Sequence, residues 1–205
     1  MTGATAVFEA GLAAFRGAKD EWGESLVLLS RGRVALFRGE VDGARRDFEQ
    51  SLTLARRGHD DLGGAIALNH LGWTAVLLGN TAEAGTLFRD GLTRSARLRH
   101  DEGIAYGLEG LLAVSVLQGD VARVARLLGA TQVRREQLGL RTTVNAAYYE
   151  PALNALRARS DPAAFDTQAA AGRALNNDEA VSYALDTAGA QVTQTGEPTH
   201  ELNPA

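Results

Sequence analysis

The stretch "LLGNTAEAGTLF", residues 77–88, has close counterparts elsewhere in the chain at intervals of forty residues. It recurs as "LFRGEVDGARRDF" at residues 36–48 and as "VLQGDVARVARLL" at residues 116–128. Each version has the form of one helix that ends at a glycine, followed directly by the start of another. A fixed period of this length indicates a repeat architecture. The chain is therefore predicted to be a stack of similar helical units.

The forty-residue register holds in five columns over three copies. These columns are Gly39/Gly79/Gly119, Gly23/Gly63/Gly103, Leu28/Leu68/Leu108, Ala44/Ala84/Val124 and Phe48/Phe88/Leu128. The register also extends upstream, because Phe8, Glu9 and Leu12 stand forty residues before Phe48, Glu49 and Leu52. The chain is therefore expected to begin inside a half repeat whose first helix is missing. Such an end exposes apolar surface, which favours a fragment, a truncated gene product or a homodimer through this half repeat.

Each copy is predicted to contain two helices, A and B, which are antiparallel because the linker at the glycine is short. Helix A is expected over residues 24–38, 64–78 and 104–118, and helix B over residues 41–57, 81–98 and 121–138. The glycines that end the A helices suit a left-handed conformation. Asn80 and Asp120 are expected to cap the helices that follow.

The domain organisation follows from this register. Residues 1–139 are predicted to form the repeats, with a half repeat at 4–17 and full repeats at 24–57, 64–98 and 104–138. Residues 140–188 are expected to be a helical extension packed on the array. Residues 189–205 are polar and contain proline, which is typical of a flexible tail or linker.

Composition excludes several classes of protein. The chain has 205 residues, of which 45% are hydrophobic, so it is long and apolar enough to bury a core. Its net charge of −4 argues against a nonspecific nucleic-acid binder. It has no cysteine, and no apolar run approaches the roughly 20 residues that a membrane helix needs. We expect a soluble cytoplasmic protein that contacts neither a membrane nor nucleic acid directly through this segment.

Motifs for catalysis and for metal or cofactor binding are missing from the sequence. There is no HExxH, no GxSxG and no GxxxxGK[ST] phosphate loop. His59 and His100 lie in predicted turns between repeats, where capping explains them better than acid–base chemistry. Arginines on the B helices alternate with acidic residues, so we interpret them as part of the solvent-exposed surface of these helices. The sequence therefore predicts no catalytic residue, no metal site, no cofactor and no enzymatic activity.

Two resemblances to known families appear at this point. The pairs Gly32/Gly72, Ala35/Ala75, Ala44/Ala84 and Phe48/Phe88 resemble the columns of a tetratricopeptide repeat, here with a forty-residue period. Leu112 and Val124 depart from these columns in the third copy. The resemblance implies an all-α, right-handed superhelix of antiparallel helix pairs, with additional helices at the C-terminal end.

The second resemblance covers about sixty residues. The segments "ARLLGATQVRREQLGL" (125–140), "YYEPALNALRA" (148–158) and "FDTQAAAGRALNNDEAVSYAL" (165–185) resemble the end of the helical arm in bacterial signal-transduction ATPase regulators. These regulators are the LuxR-type and maltose-regulator-like class, which implies a role in transcription regulation. Pro151 departs from the pattern of this family and should start or kink a helix. Asn176 and Asn177 stand where the family has a serine-type cap.

The candidate binding site comes from the tetratricopeptide resemblance, which implies that the A helices line a concave groove. Structural columns should repeat, whereas binding columns need not. The varying columns on helix A supply five candidates for a groove that binds a protein partner or a small effector: Arg33, Asn69, Trp73, Tyr106 and Glu109. The competing interpretation is that Trp73 is a packing residue and Asn69 a surface residue.

The leading functional hypothesis is a non-enzymatic module for protein interaction or effector sensing, of the kind found in transcriptional regulators. A stand-alone enzyme or small-molecule-binding protein on a helical scaffold is the alternative, and convergent acid–base residues in a closed pocket would favour it. Direct DNA binding is a third hypothesis, which a steep salt dependence would support.

Overall fold

The computed structural model of the chain describes residues 2–140 and 144–186, which form ten α-helices, one short 3-10 helix and no strand. The helices are α1 (Thr2–Ala18), α2 (Glu21–Phe37), α3 (Val41–Arg57), α4 (Asp61–Leu77), α5 (Thr81–Arg97), α6 (Asp101–Gln118), α7 (Val121–Gln137), α8 (Glu150–Ala158), α9 (Pro162–Arg173) and α10 (Asn177–Leu185), with the 3-10 helix at Val144–Tyr148 between α7 and α8. The prediction of an all-α repeat superhelix is confirmed. The predicted tail, residues 189–205, lies outside the described residues.

The helix pairs follow the predicted register. The A helices are α2, α4 and α6, the B helices are α3, α5 and α7, and α1 is the B helix of the half repeat. Each A helix begins three residues earlier than predicted, because the preceding residue caps it. Asp20 and Asp60 accept hydrogen bonds from the N–H groups of Gly23 and Gly63, and His100 does the same for Gly103 through Nδ1.

The turn that follows each A helix depends on a glycine. Gly39, Gly79 and Gly119 have φ of 76°, 77° and 77°, so the predicted left-handed conformation is confirmed. Asp120 caps α7 as predicted, by accepting a hydrogen bond of 3.1 Å from the N–H of Arg123. The predicted cap at Asn80 is wrong: its side chain donates to the Glu83 carboxylate instead of accepting from the backbone.

An aromatic ring packs against a glycine in each of the first two full repeats. Phe48 and Phe88 are fully buried. A Cβ atom at Gly32 would lie 2.6 Å from Cε1 of Phe48, and one at Gly72 would lie 2.5 Å from Cε1 of Phe88. Such distances are too short for any side chain, so the glycines are needed for helices A and B to approach. The core therefore runs along the line where A and B helices meet.

The C-terminal helices pack on the last repeat. Helix α8 begins at Glu150 with Pro151 in its first turn, as predicted. Asn176 forms a capping box with Glu179 at the start of α10. Arg134 of α7 donates hydrogen bonds to the carbonyl oxygen of Leu175 and to Asn177 Oδ1, at 2.6 and 2.8 Å. The residues between α9 and α10 are therefore fixed to α7.

Helices α7 and α9 approach so closely that their backbones touch. A Cβ atom at Gly129 would collide with the carbonyl oxygen of Ala169, and one at Gly172 would collide with the carbonyl oxygen of Arg126. This crossing holds the C-terminal extension on the array. No helix in the described ranges is long and apolar enough to cross a membrane.

We predict that replacing either glycine by alanine separates α7 from α9. Gly129→Ala and Gly172→Ala should each lower the free energy of unfolding by roughly 1–3 kcal/mol, because the added methyl meets rigid backbone. Gly43→Ala is the matched control, since no atom lies within 3.8 Å of the added Cβ position and a helical alanine is favoured over glycine. Guanidinium melts of the three variants measure the difference. Equal midpoints for all three would contradict the close crossing.

Candidate functional site

A cavity of about 940 Å³ lies against the A helices. Its wall is formed mainly by α2, α4 and α6, with Phe8 of α1 at the N-terminal side. Leu140, Asn145 and Tyr148 close the other side, because the chain after α7 folds back across the face of the repeats. The cavity therefore joins the repeats to the first residues of the C-terminal extension.

Three of the five candidate residues line this cavity. Arg33, Asn69 and Tyr106 contribute to its wall from three successive A helices. They come from three different columns of the repeat, and the helices α2, α4 and α6 bring them to one wall. Whether they bind a ligand remains a prediction.

The other two candidates, Trp73 and Glu109, do not lie in the open groove, so their predicted position is wrong. Trp73 is 0% exposed and Glu109 is 1% exposed. The ring of Trp73 packs edge-on against Phe88 at 5.1 Å, and it lies 6.1 and 6.3 Å from the rings of Tyr148 and Tyr149. The segment that folds back after α7 covers both side chains.

Glu109 takes part in a buried polar contact with this segment. The Tyr149 hydroxyl donates a hydrogen bond of 3.2 Å to Oε1 of Glu109, and the Arg135 guanidinium lies 3.9 Å from the same oxygen. Burial raises the pKa of Tyr149, and the Glu109 carboxylate raises it further. The carboxylate and the guanidinium compensate one another in a dry site, so this group anchors the C-terminal extension to α6.

The charged side chains at the cavity wall differ in their pairing. Burial raises the pKa of Tyr106, and the nearby Glu102 carboxylate raises it further. Arg33 makes no ion pair or hydrogen bond with any described residue, and its side chain is exposed. Arg33 is thus an uncompensated cation at the wall.

His70 lies beside Arg33 and is partly buried. Its ring stacks on Phe48, with 4.8 Å between ring centroids and 15° between the planes. Burial, together with the nearby Arg33 guanidinium, lowers the pKa of His70 to about 4. The imidazole is therefore neutral at pH 7 and does not add to the positive charge of Arg33.

Apolar side chains surround Arg33 and continue past the cavity. Phe37 is 84% exposed on the wall, and Leu62 and Ile66 are also exposed there. Trp22, at 63% exposure, and Leu26 extend this surface along α2 beyond the cavity. The sequence analysis missed Phe37 and Trp22. The spacing of residues 22, 26, 33 and 37 by four, seven and four positions places them on one helix face and could have revealed them.

The arrangement favours binding over chemistry. The wall carries one exposed arginine, the carboxylate of Glu102, and amide groups from Asn69 and Asn145, with serine, histidine and tyrosine side chains among the apolar ones. A cavity of this size, with polar and apolar side chains mixed in its wall, is suited to binding a ligand. Among the residues that the structure describes, no three histidine, cysteine, aspartate or glutamate side chains are placed to hold a metal ion.

Comparison with known proteins identifies the class of the central repeats. The tetratricopeptide repeat family matches residues 24–97, which run from α2 to the end of α5. This region is therefore tetratricopeptide-like, and repeats of this family generally mediate protein–protein interactions. No curated protein and no solved structure matches the chain.

The lowered pKa of His70 gives a prediction for pH-dependent stability. In the unfolded chain the imidazole of His70 is protonated below about pH 6.5, whereas in the folded chain it is protonated only below about pH 4. The free energy of unfolding therefore falls as the pH falls from 6.5 to 4. The free energy of unfolding should fall by at most about 3 kcal/mol over this window, because one pKa unit corresponds to roughly 1.4 kcal/mol. His70→Phe keeps a flat ring without the titration. Urea melts between pH 7 and 4 should show a flatter stability curve for the variant, whereas parallel curves would contradict the assignment.

Proposed function

We propose that this chain is a non-enzymatic interaction module of a transcriptional-regulator type protein, acting in the cytoplasm, whose concave groove binds a segment of a partner protein. The observation that carries the proposal is the cavity wall, where an uncompensated Arg33 stands among exposed apolar side chains. Tetratricopeptide repeats generally bind proteins, which supports a protein partner over other classes of ligand.

The extent of the apolar surface favours a peptide segment. Packed helices lie 8–10 Å apart, so a ligand that crosses α2, α4 and α6 spans roughly 20 Å. An extended chain covers this distance in about six residues, at roughly 3.3 Å per residue. Trp22 and Leu26 lie outside the cavity and lengthen the surface further. A segment with several apolar side chains would cover them.

The positive charge of Arg33 indicates which charge the bound segment should carry. Its guanidinium has no described partner, and the neighbouring His70 is neutral at pH 7. Asn69 and Asn145 can donate further hydrogen bonds from the same wall. A carboxylate on the ligand would give Arg33 a charge-assisted hydrogen bond in a partly enclosed site. The preferred partner is therefore an apolar segment that carries an acidic residue.

The resemblance to the arm of bacterial regulators supports a signalling role for this binding. A ligand in the cavity would contact the repeats and also Leu140, Asn145 and Tyr148. Tyr149, the next residue, is bonded to Glu109 in the core. Occupancy would therefore favour one position of the C-terminal extension over others, or one curvature of the arm.

A small effector is the second candidate for the same cavity. The volume of about 940 Å³ lies within the range that suits small ligands. The proposal also includes a homodimer through the N-terminal half repeat. Phe8 is the residue of α1 on the cavity wall, so a dimer through the other side of this helix would leave the groove accessible.

Selection from a phage-displayed library of random peptides tests the proposed function. We expect the wild-type chain to enrich apolar peptides that contain Asp or Glu. Arg33→Glu should reverse this preference towards Lys or Arg, because it reverses the sign of a wall charge that has no ion pair with a described residue. Arg46→Glu is the matched control, since Arg46 is an exposed arginine outside this cavity, and it should enrich the same peptides as the wild type.

Resynthesised peptides then give affinities by titration. A selected acidic peptide should bind Arg33→Glu about tenfold more weakly than wild type, which corresponds to about 1.4 kcal/mol. Failure of the wild-type chain to enrich any peptide would contradict the peptide-binding function. Enrichment that is the same for wild type and Arg33→Glu would leave peptide binding intact and remove Arg33 from the site.

A further inference from the structure

Glu102, at the start of α6, has no acidic counterpart in the first two full repeats. In the forty-residue register its position is occupied by Trp22 in α2 and by Leu62 in α4. Glu102 is exposed and lines the same cavity as Arg33. Because two of the three repeats carry a large apolar side chain here, the packing of the repeats does not require a carboxylate at this position.

The acidic residues that directly precede this position provide an internal comparison. They occur in all three full repeats, and each bonds to a side chain of a neighbouring helix: Glu21 to Arg57, Asp61 to Arg94, and Asp101 to Asn177. That column therefore contributes to the packing between helices. Glu102 makes no ion pair within the part of the chain that the structure describes, so it differs from these structural carboxylates.

Arg33 differs from its neighbour Arg31 in the same way. The guanidinium of Arg31 donates hydrogen bonds of 2.7 and 2.8 Å to the Asp47 carboxylate and another to Glu9. Arg31 therefore joins α2 to both α3 and α1. Arg33 has no such partner among the described residues and lines the cavity instead.

The cavity wall carries one charge of each sign. Of the Asp, Glu, Lys and Arg side chains in the described ranges, only Arg33 and Glu102 line the cavity. The two histidines on the wall do not add a cation. His70 is neutral at pH 7, and Nδ1 of His100 accepts a hydrogen bond from the Gly103 N–H, which requires this nitrogen to be unprotonated.

Tyr106 lies near both charges. Glu102 stands four residues before Tyr106 on α6, so the two side chains share a helix face. Burial raises the pKa of Tyr106, the Glu102 carboxylate raises it further, and the Arg33 guanidinium lowers it. Arg33 therefore extends from α2 across α4 towards α6. Since Arg33 and Glu102 form no ion pair with each other, there is space for a ligand between them.

Apolar surface separates the two charges. Leu62 and Ile66 of α4 are exposed on the wall between α2 and α6, whose axes are roughly 16–20 Å apart at 8–10 Å per helix step. In the register Arg33 is level with Ala113 of α6, which is 113 − 102 = 11 residues, or roughly 16 Å, from Glu102 along the helix. A ligand that contacts both charges therefore crosses the A helices diagonally over an apolar surface.

We propose that the cavity recognises a bipolar peptide segment, in which an acidic side chain binds Arg33 and a basic side chain binds Glu102. Apolar side chains of the segment cover Leu62 and Ile66 between the two charges. This inference rests on the peptide-binding function proposed above and adds Glu102 as a second determinant of specificity. A segment with an acidic residue at both places is disfavoured, because its second carboxylate meets Glu102.

The separation of the wall charges also sets the spacing of the ligand charges. Adjacent residues of an extended chain are only about 3.3 Å apart and point to opposite sides. Because α4 lies between Arg33 and Glu102, the acidic and basic residues of the segment should be about three or more positions apart.

Glu102 also lies in the first turn of α6, where a negative charge stabilises a helix. Asp42 provides a control for this effect, because it is likewise the second residue of its helix, α3, and is exposed outside the cavity. Asp42→Lys therefore changes the charge of a first helical turn by the same amount as Glu102→Lys, without changing the cavity wall.

Selection from the phage-displayed library of random peptides, with the wild-type chain and these two variants, tests the proposal. The wild type and Asp42→Lys should enrich apolar peptides that contain an acidic and a basic residue about three or more positions apart. Glu102→Lys should enrich peptides in which a second acidic residue replaces the basic one. Circular dichroism verifies that both variants are folded.

Titration with resynthesised peptides locates the basic residue. Replacing it by alanine should weaken binding to the wild type about five- to tenfold and leave binding to Glu102→Gln unchanged, because the neutral variant has no charge to lose. Replacing it by glutamate should restore tight binding to Glu102→Lys. Equal weakening in the wild type and Glu102→Gln would show that the basic residue binds elsewhere and would overturn the inference.

The selection separates this inference from the function on which it rests. Enrichment by the wild type of acidic apolar peptides that lack a basic residue would overturn the bipolar ligand and leave peptide binding intact. A wild-type chain that enriches no peptide would overturn both.

Discussion

The contact between a phenylalanine on helix B and glycines on helix A is the constraint on which this structure depends. The ring of Phe88 lies against Gly72 of its own repeat, and a side chain at Gly110 of the next repeat would collide with it. Phe48 makes the equivalent contact with Gly32. Because each ring fills the space between helices, it fixes both the distance within a repeat and the step to the next one. The concave face is a consequence of that step.

This packing also explains why core positions repeat along the chain whereas the positions that face the cavity vary. Core positions of the first two full repeats match at a spacing of forty residues, because each must offer the same space to a phenylalanine ring. The positions that face the cavity carry no such requirement, so Arg33, Asn69 and Tyr106 can differ from their equivalents.

The fold could be read from the sequence because its determinants are local and repeated. The glycines that end the A helices, the proline at the start of α8 and the capping box at Asn176 each act within a few residues. The site could be read only in part. Trp73 and Glu109 lie in the predicted register but are covered by the segment around Tyr148 and Tyr149, which packs more than thirty residues away in sequence. No local pattern predicts such a contact.

The most direct measurement is a double-mutant cycle on Gly72 and Phe88, by guanidinium unfolding of wild type, Gly72→Ala, Phe88→Ala and the double variant. Phe88→Ala should lower the free energy of unfolding by roughly 3–5 kcal/mol, and Gly72→Ala by roughly 1–3 kcal/mol. In the double variant the added methyl no longer meets a ring. The loss of unfolding free energy in the double variant should therefore be smaller than the sum of the two single losses by about 1 kcal/mol or more. Additive losses, within about 0.5 kcal/mol, would show that the ring does not require the glycine and would contradict the account of how the repeats are spaced.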